Sequence, residues 1–336
     1  MSMEKKLKEK LKLGIKSAPH IKESMDMDKM MKYTVLALLF PVAGSIYLFG
    51  LKALYLILSC TLTAAAADKI FRLIRGEKTP DKSSVITGIL MALILPPSFP
   101  VWAALLGVLF AIIIVKNIFG GLGNNIFNPA LMGRAFLAAT FPVLITTYVL
   151  IPRQIPLTDT VSYSAETSAT AAVTGATPLS KYRFEDKSYD AGSIPYLLLG
   201  RHKGSTGETF GLMILLGLAV LLLTGAADWR LPFSYFGSAF ILFLIFWLIE
   251  PAKYLNPFTA LFMGGILLGG TYMVTDPVTT PVTPFGKWIF GIGAAALTVV
   301  IRYFSGYPEG VMFSILLMNA LTPLINRYTR PRIYGA

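Results

Sequence analysis

"LFMGGILLGGTYMVTDPVTTP", residues 261 to 281, decides the fold. It is apolar enough for lipid, yet it holds four glycines and stops at Asp276-Pro277. Proline lacks an N–H and crowds the preceding turn, so a helix does not run through it. Unpaired backbone groups cost several kcal/mol in hydrocarbon, so a broken helix must be buried in protein or line a cavity. A second apolar run stops the same way at "LPPSFP", residues 95 to 100. Two Asn-Pro segments stand nearby: "NNIFNPALMGRAFL" at 124–137 and "YLNPFTALFMGG" at 254–265.

Outward from these breaks, the apolar runs predict ten spans, at 33–49, 53–67, 85–96, 100–116, 129–150, 207–225, 232–249, 257–275, 286–303 and 310–326. Runs near 20 residues match roughly 30 Å of hydrocarbon. The expected fold class is an all-α polytopic membrane protein of about ten transmembrane helices in two inverted five-helix repeats, with helices 3 and 8 broken. Broken helices at matching places in two halves point to inverted repeats. The plainer alternative is that Gly and Pro are common in membrane helices. The expected organisation is a basic N-terminal segment 1–32, a first half 33–150, a loop 151–206, a second half 207–326 and a tail 327–336. Leu7, Leu11 and Ile15 fall four apart among lysines, which suits an anionic membrane face or a docking partner; a solvated tail explains them as well.

Composition agrees. The 336 residues are 54% hydrophobic and 14% charged, against about a quarter charged in soluble domains. The net charge of +12 is concentrated beside the spans, as the positive-inside rule expects, and leaves no basic domain for nucleic acid. Lys69, Arg72, Arg75, Lys78 and Lys82 mark the segment 68–84 as a cytoplasmic loop. Both termini are then cytoplasmic and residues 151–206 extracytoplasmic. No cleavable signal is expected in the Lys-rich start. One cysteine, Cys60, cannot ligate an iron–sulfur cluster alone, and His20 and His202 make no metal motif.

In the outer loop, "AAVTGATPLSKY", residues 171 to 182, is small and polar. Pro178 forces Thr177 into an extended conformation, and Gly175 and Ala176 remove bulk beside it. Such a turn suits a phosphate held at a hydroxyl and lacks a base for nucleophilic catalysis. An ordinary small-residue loop is the plain alternative. Arg134, Glu208, Asp276 and Glu309 are ionisable groups in or beside spans, where functional roles concentrate. A carboxylate at a helix start explains Glu208, a cap explains Asp276, and capping explains Asn128.

"TGATPL" resembles a flavinylation motif, although Ala171 stands where an acidic residue is often found. "SAPHIKESMDMDKMMKY", "NNIFNPALMGRAF", "GSTGETF", "ADWR", "MVTDPVTTPVTPFGKWIFG" and "LTVVIRYFSGYPEGVMFSILLMNALTPLI" follow in order. Together they resemble one membrane family, the D subunits of Rnf complexes and the B subunits of Na+-translocating NADH:quinone oxidoreductases. The compact chain with its "SAPHIKES" fits the Rnf branch better. The resemblance implies FMN on Thr177 through a phosphoester, with Thr174, Gly175 and Ala176 shaping the attachment. It implies a second, non-covalent flavin such as riboflavin at Asn125 and Asn128. As ionisable groups in or beside spans, Arg134, Glu208, Asp276 and Glu309 are candidates for flavin or cation handling. The resemblance also implies a bacterial or archaeal plasma membrane, Na+ or H+ as the moved ion, and ferredoxin to NAD+ electron transfer by the whole complex. Partners would be a periplasmic-side flavoprotein, membrane iron–sulfur subunits, and cytoplasmic NADH- and ferredoxin-reacting subunits. The chain itself has no dinucleotide fingerprint. A transporter or channel, and a scaffold with Thr177 unmodified, remain rival readings.

Overall fold

A computed structural model describes residues 26–76, 82–148, 179, 182, 194–200, 202–251, 253–306 and 309–330. Thr174, Gly175, Ala176 and Thr177, where flavin attachment is expected, lie outside them, as do residues 1–25 of the expected basic segment 1–32.

Asp26 opens the first helix, its carboxylate accepting from Met27 N at 2.8 Å. Helix α1 (Met27–Phe49) turns at Gly50 alone, φ +66°, directly into α2 (Leu51–Arg75). That conformation excludes most side chains, so a single glycine makes the hairpin. Helix α3 (Ser83–Ile94) ends at Leu95, which is extended ahead of Pro96-Pro97. Helix α4 (Val101–Leu109) continues as a π-helix over Phe110–Asn117. Then follow α5 (Pro129–Thr140), α6 (Pro142–Thr146), α7 (Ile194–Leu198), α8 (Gly211–Leu223) and α9 (Arg230–Ile249). The Gly-rich segment 261–281 holds the end of α10 (Pro257–Phe262) and then α11 (Ile266–Leu268), which runs on as a π-helical turn Gly269–Met273. The last helices are α12 (Pro284–Phe304) and α13 (Val311–Tyr328).

No strand occurs among the described residues. Helices α1, α2, α9 and α12 are long and apolar enough to cross a membrane, and α3, α4 with its π extension, and α8 are shorter apolar helices. A polytopic helical membrane protein follows. Small residues set its close contacts, as expected where helices pack in lipid. A methyl group at Gly88 of α3 would lie 2.6 Å from Thr61 Cα of α2, and one at Gly291 of α12 would lie 3.1 Å from Leu231 O of α9.

The structure corrects several boundaries. Residues 68–75, expected in a loop, continue α2 and bury Asp68 completely. The fifth run, expected as one helix over 129–150, breaks at Phe141-Pro142 because Pro142 cannot continue the α5 ladder. The sixth begins at Gly211 rather than 207, so Glu208 precedes the helix. The eighth breaks first at Met263–Gly265, with Gly264 at φ +69°, and again near Asp276.

Candidate functional site at the helix interruptions

Each interruption gathers polar groups, and the two clusters lie at opposite ends of α11 and its π-helical extension. The first surrounds Asp276. Asn128 caps α5, its side-chain oxygen accepting from Ala130 N at 3.1 Å and Leu131 N at 3.2 Å. Its amide NH2 donates to Asp276 Oδ2 at 3.2 Å. Asp276 also accepts from Val278 N at 3.2 Å and from the Thr279 hydroxyl at 3.0 Å. Asn319 of α13 accepts from Asn128 N and donates to Thr279 O, both at 3.2 Å. The backbone freed by Pro277 and Pro129 is thereby paired inside the protein, as lipid requires. Asn125 donates to Phe127 O at 3.1 Å. Beside these groups lies a cavity of about 60 Å³, lined by Thr34, Thr87, Lys116, Asn125, Asn128 and Asp276 among others. One water needs roughly 10–15 Å³, so this cavity has room for several.

Lys116 joins that lining to a buried ion cluster that sequence reasoning missed. Asp68 accepts from Lys116 Nζ at 3.0 Å, Arg72 Nε at 2.9 Å and Asn117 Nδ2 at 3.2 Å. Asp68 and Lys116 are 0% and 2% exposed. The spacing of Asp68 and Arg72 hinted at one half of it, since residues four apart share a helix face. Nothing local ties Lys116 to Asp68, 48 positions away.

The second cluster surrounds Met263–Gly265. The end of α10 leaves carbonyls without helical partners. Arg302 of α12 supplies them, donating to Ala260 O at 2.7 Å and Met263 O at 3.1 Å. Arg302 is 1% exposed and also lies over the Phe243 ring. A methyl group at Gly264 would stand 3.2 Å from Arg302 Nη2, Glu309 Oε1 and Leu179, and one at Gly265 would stand 3.4 Å from Glu208 Oε2. Arg134 of α5 donates to Glu309 Oε2 at 3.0 Å. Glu208, 5% exposed, accepts from Ser205 N at 2.8 Å; it does not cap α8, whose start at Phe210 has no side-chain cap. A small pocket joins Glu208, Glu309, Gly264, His202, Lys203 and Leu179. Burial pushes the His202 imidazole down to about 4.

Of the residues singled out from sequence, Asn125, Asn128 and Asp276 therefore meet at one cluster, and Arg134, Glu208 and Glu309 at the other. Helix α5 bridges them: Asn128 caps it, and Arg134 sits six residues on, about 9 Å along the axis. Arg302, Asp68 and Lys116 join these groups without having been singled out.

The model of the NQR2, RnfD, RnfE family matches residues 14–335. The chain belongs to that family. Among its relatives, the D subunit of the Na+-translocating ferredoxin:NAD+ oxidoreductase complex of Acetobacterium woodii is 39% identical over 332 residues, 97% of this chain and 96% of that protein. The D subunit of the proton-translocating ferredoxin:NAD+ oxidoreductase complex of Clostridium ljungdahlii is 35% identical over 330 residues, 96% of each chain. The D subunit of an ion-translocating oxidoreductase complex from Alcanivorax borkumensis is 32% identical over 327 residues, 95% of this chain and 96% of that one. Membership accords with the multi-pass helical architecture, and places both interruption clusters within the matched range.

Proposed function

We propose that this chain is the D subunit of an Rnf-type complex coupling ferredoxin:NAD+ electron transfer to Na+ or H+ movement, and that it carries FMN on Thr177. The observation that carries this reading is end-to-end similarity to D subunits in a chain that also holds Thr174-Gly175-Ala176-Thr177. When bound, the flavin supplies one- and two-electron transfer; the chain's share is to hold it and to stabilise charge near it.

The surroundings of Leu179 suit that role. It is buried beside Gly264 in the pocket that His202 and Lys203 also line. It stands two positions after Thr177, so covalent reach keeps the two within about 7 Å. A lysine there favours a phosphoester's negative charge. A second flavin at Asn125 and Asn128 fits less well. The Asn128 amide is committed to the α5 cap and to Asp276, Asn125 to Phe127 O, and the cavity is about 60 Å³, against roughly 300–1,000 Å³ for cofactor sites.

The finer architecture belongs to the same proposal: ten spans in two inverted halves, both termini cytoplasmic, and residues 151–206 on the outer face of a bacterial or archaeal plasma membrane. Supporting the repeat, Asn128 and Glu309 each stand fourteen residues ahead of a proline, Pro142 and Pro323. Each stands at the start of a helix, and each makes a side-chain contact with a residue of the other half, Asp276 and Arg134 respectively. The remaining subunits would supply iron–sulfur, NADH and ferredoxin chemistry, and Asp276, Glu208 and Glu309 are the candidates for cation handling.

The test is intact mass of the chain co-expressed with its flavin transferase, beside Thr177→Ala. An added FMN mass that disappears in the variant, with in-gel fluorescence surviving denaturation, is the expected result. Chain isolated from its native membrane without added mass would overturn the flavin assignment and favour a transporter or scaffold.

A further inference from the structure

The end of the molecule where α9 and α12 begin carries a feature that the redox reading does not use. Two cations converge on one carboxylate there. Asp228 accepts from Lys287 Nζ at 2.7 Å and from Arg230 Nη1 at 3.2 Å, leaving a surplus positive charge. Burial alone would raise the Asp228 carboxyl, but the Lys287 hydrogen bond, the Arg230 backbone N–H and the two cations outweigh it and hold the group below its ordinary range. Both cations keep partial exposure.

Beside them, Trp229, Phe233 and Trp288 form an edge-to-face cluster with centroids 5.9–6.1 Å apart, and Arg230 lies 5.2 Å above the Trp229 ring. Trp229 and Phe233 are 52% and 63% exposed. Tryptophan of this kind settles at the membrane–water boundary. From Phe233 an exposed apolar stripe continues along α9 through Ile241, Ile245 and Leu248. One helical step after Phe233 the stripe is interrupted by Gly237, where an added methyl group would meet nothing within 4 Å. The glycine leaves a notch one side chain deep, about 6 Å below the aromatic ring along the helix.

We infer that this face is a binding site for one anionic phospholipid, its phosphate on Arg230 and Lys287 and an acyl chain in the notch at Gly237. Charge complementarity selects the headgroup, because a zwitterionic lipid brings no net charge to offset the surplus cation. The vertical order, charge, then aromatic rings, then apolar notch, is that of a lipid at the boundary. The site does not depend on the flavin assignment.

Brominated lipids quench nearby tryptophan, so the test uses Trp102→Phe/Trp247→Phe chain, leaving Trp229 and Trp288 as reporters in phosphatidylcholine vesicles. Brominated phosphatidylglycerol should bind better than brominated phosphatidylcholine by about fivefold, for the one positive charge that Asp228 leaves unbalanced. In Arg230→Gln/Lys287→Gln the preference should fall close to one. Gly237→Leu, which keeps every charge, should weaken binding of both lipids and confirms the site if the charge variant folds poorly. An equal preference in the starting chain, or a preference untouched by both variants, overturns the inference. So does displacement by inorganic phosphate, which marks a phosphate site without lipid, or absence of quenching by either lipid, which marks a face covered by protein.

Discussion

Replacing Arg302 by methionine keeps most of the side-chain volume and removes the two hydrogen bonds that close the end of α10. Each runs from a charged donor to a buried carbonyl, at 2.7 Å to Ala260 and 3.1 Å to Met263. Hydrogen bonds to charged groups contribute about 1.5–3 kcal/mol each, so the loss is about 3–6 kcal/mol, with the carbonyls left buried. At about 2 °C per kcal/mol for a chain of this size, the apparent melting midpoint should drop by about 6–12 °C. Arg302→Lys keeps the charge but not the fork that reaches both oxygens, and should lose about half as much. The assay is heating of detergent-solubilised protein followed by size-exclusion of the remaining folded fraction. A methionine variant melting within about 2 °C of the parent would refute the idea that Arg302 holds the interruption at Met263–Gly265.

Lys116→Met should cost about 3–5 kcal/mol, because it breaks a buried ion cluster and leaves Asp68 underpaired; Lys116→Met/Asp68→Asn should recover most of the folded yield, and a double variant no better than the single would count against the cluster. Gly217→Ala puts a methyl group 1.8 Å from the Tyr272 hydroxyl, which donates to Ala37 O at 2.8 Å, so a loss of about 1–3 kcal/mol is expected, partly restored by Tyr272→Phe. His202 is held neutral by burial, down to about 4 from an ordinary 6.5. The unfolded chain therefore takes up its proton first, and stability should fall as pH drops from about 6.5 toward 4, by up to roughly 1.4 kcal/mol per unit. A midpoint-against-pH series should flatten over that window in His202→Gln.

Proline and asparagine carried most of what was legible beforehand. Asp276-Pro277, Asn128-Pro129 and "LPPSFP" act through backbone chemistry that is local to the chain, so their breaks could be read directly. Pro142 acts in the same way, yet the apolar residues around it masked it, and one helix was expected where two occur. The break at Gly264 was ambiguous, because glycine is tolerated in membrane helices as well as in turns. Lys116 and Arg302 were not legible at all. Each ends an apolar run, where a long basic side chain ordinarily reaches toward water, but both are directed inward by acceptors far away in sequence. Charge near a span edge says little about its direction until the partner is known.

Helix α3 has twelve residues, about 18 Å of rise, so it cannot by itself cross a hydrocarbon core of roughly 30 Å. Its last carbonyls are completed by a remote stretch of backbone: Thr206 N donates to Leu95 O at 2.9 Å and Gly207 N to Leu93 O at 2.7 Å. Those donors are made more than a hundred residues later. At about 5–20 residues per second of synthesis, the nascent chain waits several seconds with that helix end uncovered. During the interval something other than the finished protein, whether water in an insertion channel or an assembly factor, must occupy those carbonyls. Helix α3 and the stretch around Thr206 are thus committed to fold as one unit, and a ribosome stalled before residue 205 would leave a helix end that lipid cannot accept.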